Sequence, residues 1–157
     1  MVIKKGFTLA EILTVLAIIG VGIVLFYFVF FLNWMNLEKE FTRVELQQDF
    51  YDLIEKISFD VRPAKDVVIN SSHDINIIYP QTPSVTYIIT PQGHLIRQDS
   101  STTQTLYTNV DYNKSSFKRA PNSTALIVTL VLEDKVFGEE IEYGMPLRIW
   151  PRLSLLK

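Results

Sequence analysis

The chain has 157 residues, 15 Lys and Arg against 17 Asp and Glu, and no cysteine. The near-neutral, slightly acidic balance argues against a nucleic-acid partner, and the absence of cysteine rules out disulfide scaffolds and thiolate metal sites. One long apolar segment leaves residues enough for a single modest soluble domain.

Taken in chain order, residues 1–6 carry two positive charges, Lys4 and Lys5, and no apolar stretch ahead of a small-residue cleavage site. They therefore read as a short leader and not as a secretory signal. Loss of Lys4 and Lys5 with that leader lowers the net charge from −2 to −4.

From Glu11 to Glu38 there is no charged side chain between the two. The run Ile12 to Leu32 reaches about 30 Å as a helix, enough to cross a bilayer core, so residues 7–32 are expected to be a retained transmembrane segment. Lysines before the span and the mixed Glu38-Lys39-Glu40 after it place the N-terminus in the cytoplasm. Gly20 and Gly22 mark a candidate soft spot, and Trp34 suits the outer interface. A carboxylate at the membrane edge is costly unless paired, so Glu11 is a functional candidate whose best partner is an amine.

The string Lys4-Lys5-Gly6-Phe7-Thr8-Leu9-Ala10-Glu11 resembles the processing site of bacterial type IV pilins and type II secretion pseudopilins. The resemblance implies cleavage between Gly6 and Phe7 by a prepilin peptidase and N-methylation of Phe7. It also implies that Glu11 of an incoming subunit neutralises the terminal amine of a neighbour already in the filament. Phe7 and Glu11 lie one helical turn apart, so the new amine and the carboxylate share a face. Many type IV pilins carry a proline in the second half of this helix, whereas Gly22 to Leu32 has none.

Beyond the membrane, Leu37, Phe41, Val44, Tyr51, Ile54, Ile57 and Val61 recur at helical spacing, with Leu46, Phe50 and Leu53 widening the stripe. One helix from Thr8 to Val61 is expected, stopped by Pro63, with Asp52 and Lys56 spaced for an i,i+4 pair. The soluble domain is assigned to residues 33–157.

From Val67 the period becomes two, predicting strands at Val67 to Ile69, Ile75 to Tyr79, Val85 to Thr90, His94 to Gln98, Thr105 to Asn109, Ala125 to Glu133 and Glu142 to Trp150. Thr90-Pro91-Gln92-Gly93 reads as a hairpin turn. Ala125 to Leu132 reads as a central strand with one face on the helix. Asn113 to Thr124 reads as a variable surface loop. The fold expected is α+β: a long N-terminal helix packed on an antiparallel sheet, the order found in the pilin superfamily. Val85 to Arg97, followed by Leu106 to Val110, resembles the minor pseudopilin J group of type II secretion.

Catalytic candidates are thin. His73 sits in a Ser-Ser-His-Asp loop and His94 after a turn, both better suited to structural roles. The carboxylates Glu133, Asp134, Glu139, Glu140 and Glu142 lack the Ca²⁺-loop pattern and are interrupted by Lys135, so they read as a solvated turn and no metal site is expected. Lys114, Lys118 and Arg119 form a basic cluster too small for DNA.

The family resemblance implies a non-enzymatic subunit of a type II secretion pseudopilus, or of a competence or type IV pilus, needing no cofactor. Implied partners are the prepilin peptidase, other pilins, and the assembly platform with its ATPase. The implied location is the inner membrane, single-pass, with the domain outside and later in a filament. A membrane-tethered binding protein or enzyme is the reading from another class.

Overall fold

The computed structural model describes residues 8–151. Its longest element is helix α1, Leu9–Val61, followed by strands β1 (Asp66–Ser71), β2 (Asp74–Ile78), β3 (Val85–Ile89), β4 (His94–Gln98), β5 (Thr103–Thr108), β6 (Ser116–Arg119), β7 (Leu126–Val136) and β8 (Glu139–Ile149). The chain divides into two units between Glu40 and Phe41.

In the first unit every side chain from Leu9 to Trp34 is exposed. Mean hydropathy reaches 2.9 over the best window, so α1 is long and apolar enough to cross a membrane. The bulky rings stack along the helix at i,i+4, with Phe26 and Phe30 6.4 Å apart and Tyr27 and Phe31 6.5 Å apart. The helix runs unbroken through Gly20 and Gly22, and a Cβ at either would meet nothing within 4 Å.

In the second unit the sheet-facing side of α1 is Leu46, Phe50, Leu53, Ile57, Asp60 and Val61. This corrects the expected stripe. Phe41, Val44 and Tyr51 are exposed, and Leu46, Phe50 and Leu53, expected only to widen the stripe, join its Ile57 and Val61 as the buried face. Both sets satisfy the spacing, because at about 100° per residue they lie on nearly opposite sides of the helix. What selects Leu46, Phe50 and Leu53 is contact with the sheets, including an edge-on meeting of Phe50 and Tyr143 at 5.4 Å. Lys56 donates to Gln104 Oε1 at 3.4 Å rather than pairing with Asp52.

The strands form two antiparallel sheets, a five-stranded meander in the order β1-β2-β3-β4-β5 and a three-stranded sheet in the order β6-β7-β8. The sequence suggested one. The two adjoin where the Phe117 amide donates to the Ser72 carbonyl at 2.7 Å. The Arg119 guanidinium bonds Asp66 and the Val67 carbonyl across the same junction. A single core spans both sheets and includes Tyr87, Phe50, Phe117, Ile75, Ile77 and Leu130, each fully buried.

The Thr90 to Gly93 turn is as expected. Its closing bond from the Gly93 amide to the Thr90 carbonyl is 2.9 Å, and Gly93 has φ 78. β7 is central in its sheet, with Leu126, Val128, Leu130 and Leu132 facing inward. The expected loop over 113–124 is corrected: it contains β6, paired to β7 from Ser116↔Thr129 to Arg119↔Leu126. One buried aromatic, Phe117, carries that strand, and its polar neighbours hid it from pattern reading. The acidic stretch over 133–142 is likewise mostly strand, since β7 and β8 pair as far as Val136↔Glu139. Its turn is Phe137-Gly138, both at positive φ, 53 and 81. Two positive φ values are the mark of a tight hairpin turn that normally takes Asn-Gly.

Candidate functional site

The N-terminal site is built on the first turn of α1. Glu11 Oε2 accepts from the Thr8 amide at 2.8 Å and from Thr8 Oγ1 at 3.0 Å, while the Glu11 amide donates back to Thr8 Oγ1 at 3.3 Å. This is a reciprocal capping box, which satisfies amide donors that the start of a helix otherwise leaves orphaned. Thr8 caps the helix, a role its Thr-x-x-Glu spacing encodes. Glu11 thus has a local use in addition to any intersubunit one, and among the described residues its Oε1 has no donor. Lys4, Lys5, Gly6 and Phe7 lie outside the described residues.

The second feature is the helix face turned away from the sheets. Phe41, Val44 and Phe59 stand on it, Phe59 with 78% of its surface exposed, whereas the half-exposed Tyr51 reaches the sheet through a hydrogen bond with Tyr143. Single exposed apolar residues are ordinary, but an aligned stripe of them on one helix marks a surface that expects cover.

The third feature ties α1 to the larger sheet. Asp60 in the last turn of α1 accepts from the Tyr87 hydroxyl at 2.7 Å and from Arg97 Nε at 2.8 Å, both on Oδ2. Arg97 then reaches Asp99 Oδ2 at 2.9 Å. Asp60 is among the few buried polar residues, 8% exposed, and its partners answer the desolvation of its charge. The bond to Asp60 raises the Arg97 pKa, and burial followed by its own bond to Asp60 raises that of Tyr87. Burial also pushes Tyr79 up to about 12. The Ser101 and Thr102 amides, then their hydroxyls, hold the Asp99 carboxyl well below the usual carboxylate range. Sequence reading named Arg97 in the hairpin pattern but missed Asp60, which sits far from it in the chain.

The acidic residues separate. Glu133 and Glu142 are cross-strand partners, and with Asp111 they bring carboxylate oxygens within 4.8 Å of one another. The Lys114 ammonium supplies the cation there, at 3.1 Å from Asp111 Oδ2 and in contact with Glu142 Oε1. Those contacts raise the Lys114 pKa, and although burial pushes Asp111 up, the Lys114 bonds leave its pKa lowered overall. Asp134 and Glu140 join Asn109, Glu133 and Lys135 around a shallow hollow, with Lys135 paired to Glu140 at 3.0 Å. The basic cluster also comes apart: Lys114 joins the carboxylates, and Arg119 bridges to Asp66.

His73 is structural in its contacts. Nε2 meets the Tyr112 carbonyl at 2.9 Å, Nδ1 meets Ser72 Oγ at 2.9 Å, and the ring stacks on Tyr112 with centroids 3.8 Å apart. His94 lies on β4, some way along the chain from that contact.

Comparison with protein-family models, with curated proteins and with solved structures returns no match for this chain.

Proposed function

We propose that the chain is a prepilin, a minor subunit that enters a type II secretion pseudopilus or a related type IV filament after its leader is removed between Gly6 and Phe7. The observation that carries the proposal is α1. A carboxylate four residues after Phe7 opens a charge-free apolar helix, whose continuation beyond the membrane presents the exposed residues Phe41, Val44 and Phe59. A membrane anchor alone needs neither feature.

In this reading cleavage creates an α-amino group on Phe7, and Glu11 pairs with that amine on a neighbouring subunit. The capping box holds Glu11 Oε2 on Thr8 and leaves Oε1 to meet the incoming amine. Buried together, the two charges cancel; either alone in low dielectric is costly, by several kcal/mol. The apolar helices pack against one another, the domain stays outside the membrane, and the partners are the prepilin peptidase, other pilins and the assembly platform with its ATPase. The pilin-like character of the fold, the orientation and the secretion role all belong to this proposal.

The test is to express the full chain with its cognate system. Mass spectrometry should find the mature protein beginning at Phe7, and a Gly6→Phe variant should accumulate uncut. Glu11→Ala should be cleaved and inserted normally yet fail to enter sheared filaments or cross-linked pilin complexes. An assembled protein that retains Met1 would sink the reading.

A further inference from the structure

We propose that the outer face of the β6-β7-β8 sheet binds a second copy of this chain, face to face about a two-fold axis. Cross-strand partners share a face of a sheet, so register fixes what this surface carries. Opposite the buried Leu126, Val128, Leu130 and Leu132, β7 turns Ile127, Thr129, Val131 and Glu133 outward.

At one end the row is Lys118, Ile127 and Arg148, directly paired across the three strands. At the other it is Glu133 and Glu142, joined by Asp111 and by the Lys114 ammonium. Three carboxylates with one ammonium leave two negative charges, matching the two positive charges of Lys118 and Arg148. The rows between are small and nearly flat: Ser116, Thr129 and Pro146, then Val131 and Gly144. Gly144 has to stay bare, because a Cβ there would meet the Leu130 carbonyl oxygen at 2.2 Å. Such a middle lets two sheets approach to the usual spacing of about 10 Å.

A two-fold axis crossing the strands between Thr129 and Val131 sets the basic row of each copy over the acidic row of the other. Both contacts are made twice, as a closed isologous interface requires. The same operation brings the hairpin tip of one copy beside Trp150 of the other. That tip is Phe137, 54% exposed, and Trp150 is 48% exposed. Phe137 holds φ 53, where a bulky residue is strained and Asn would be at ease. An aromatic kept in a strained, exposed turn fits a contact role. Mixed charge on one face disfavours an anionic membrane or a nucleic acid as the occupant, whereas a second copy is complementary by symmetry.

The contact uses only residues beyond Glu40, so it is tested separately from processing at Gly6. The full chain has no cysteine, and Thr129→Cys in native membranes introduces one thiol beside the proposed axis. A short bis-thiol reagent should then yield a covalent dimer. Lys118→Glu with Arg148→Glu should cut that yield about tenfold, as should Glu133→Lys with Glu142→Lys, each by setting like charges opposite. Co-expressing the two reversed variants should restore it, which a merely misfolded protein could not do. Phe137→Asn should raise the melting temperature while lowering the dimer yield. Absence of the dimer from Thr129→Cys, or an undiminished yield in either charge-reversed variant alone, overturns the proposal.

Discussion

The two faces of α1 beyond Glu40 both carry large apolar residues and have opposite fates. Leu46, Phe50, Leu53, Ile57 and Val61 are buried, while Phe41, Val44 and Phe59 face outward. The buried face also contains a charge, Asp60, and the outward face sets Phe41, Val44 and Phe59 among Gln48, Asp52 and Glu55. Hydrophobicity alone therefore does not decide which side meets the core. Specific partners do: Tyr143 for Phe50, and Tyr87 with Arg97 for Asp60.

The comparison breaks most sharply by truncation on the inner face. Phe50→Ala removes a fully buried ring and should cost about 3–5 kcal/mol, read as the loss in denaturant unfolding of the full chain in detergent. Asp60→Ala should come next, at about 3 kcal/mol, because it leaves the Tyr87 hydroxyl and Arg97 Nε without their acceptor. A double variant with Arg97→Met should recover part of that loss, and full additivity would show that the pair is not coupled.

A smaller effect is expected at acid pH. The folded-state pKa of Asp99 is depressed by the Ser101 and Thr102 donors. Its contribution is thus present above the unfolded value of about 3.9 and is lost as pH falls below it toward the folded value. Melting temperatures taken from pH 5 down to pH 2 should fall less steeply in Asp99→Asn than in the parent chain, on the order of one titrating group. An unchanged slope would remove Asp99 from the account.

The smallest effect on folding sharpens the comparison from the other side. Phe59→Ser changes a ring that is 78% exposed and should shift stability by less than about 0.5 kcal/mol. If the outer stripe serves assembly, the same variant should still lose incorporation into filament complexes. Normal assembly would reduce the stripe to ordinary surface.

How far the sequence carried these features depends on how local their causes are. The stop of α1 was legible because Pro63 acts on its own neighbours, and the Thr90 to Gly93 turn for the same reason, whereas the equally local cap of Thr8 with Glu11 went unread because that carboxylate was matched to an amine. The choice of inner face was not legible either, because two stripes obeyed the same period and only distant strands discriminate. β6 escaped because a single buried Phe117 gives no alternation to read. The turn between Glu133 and Glu142 was read too broadly, because Phe137-Gly138 adopts a conformation that calls for asparagine. Asp60 went unread, since the residues that keep it buried lie on β3 and β4.

The position of Asp60 has a mechanical consequence. Tension applied along α1 from the N-terminal side of Phe41 would load the seam from Leu46 to Val61 lengthwise. The ion-paired anchor sits at the far end of that seam, on Tyr87 and Arg97. Contacts stressed lengthwise share the load and yield together, whereas contacts peeled from one end yield in turn. A pull on the helix would therefore load the seam as a whole and leave the domain folded.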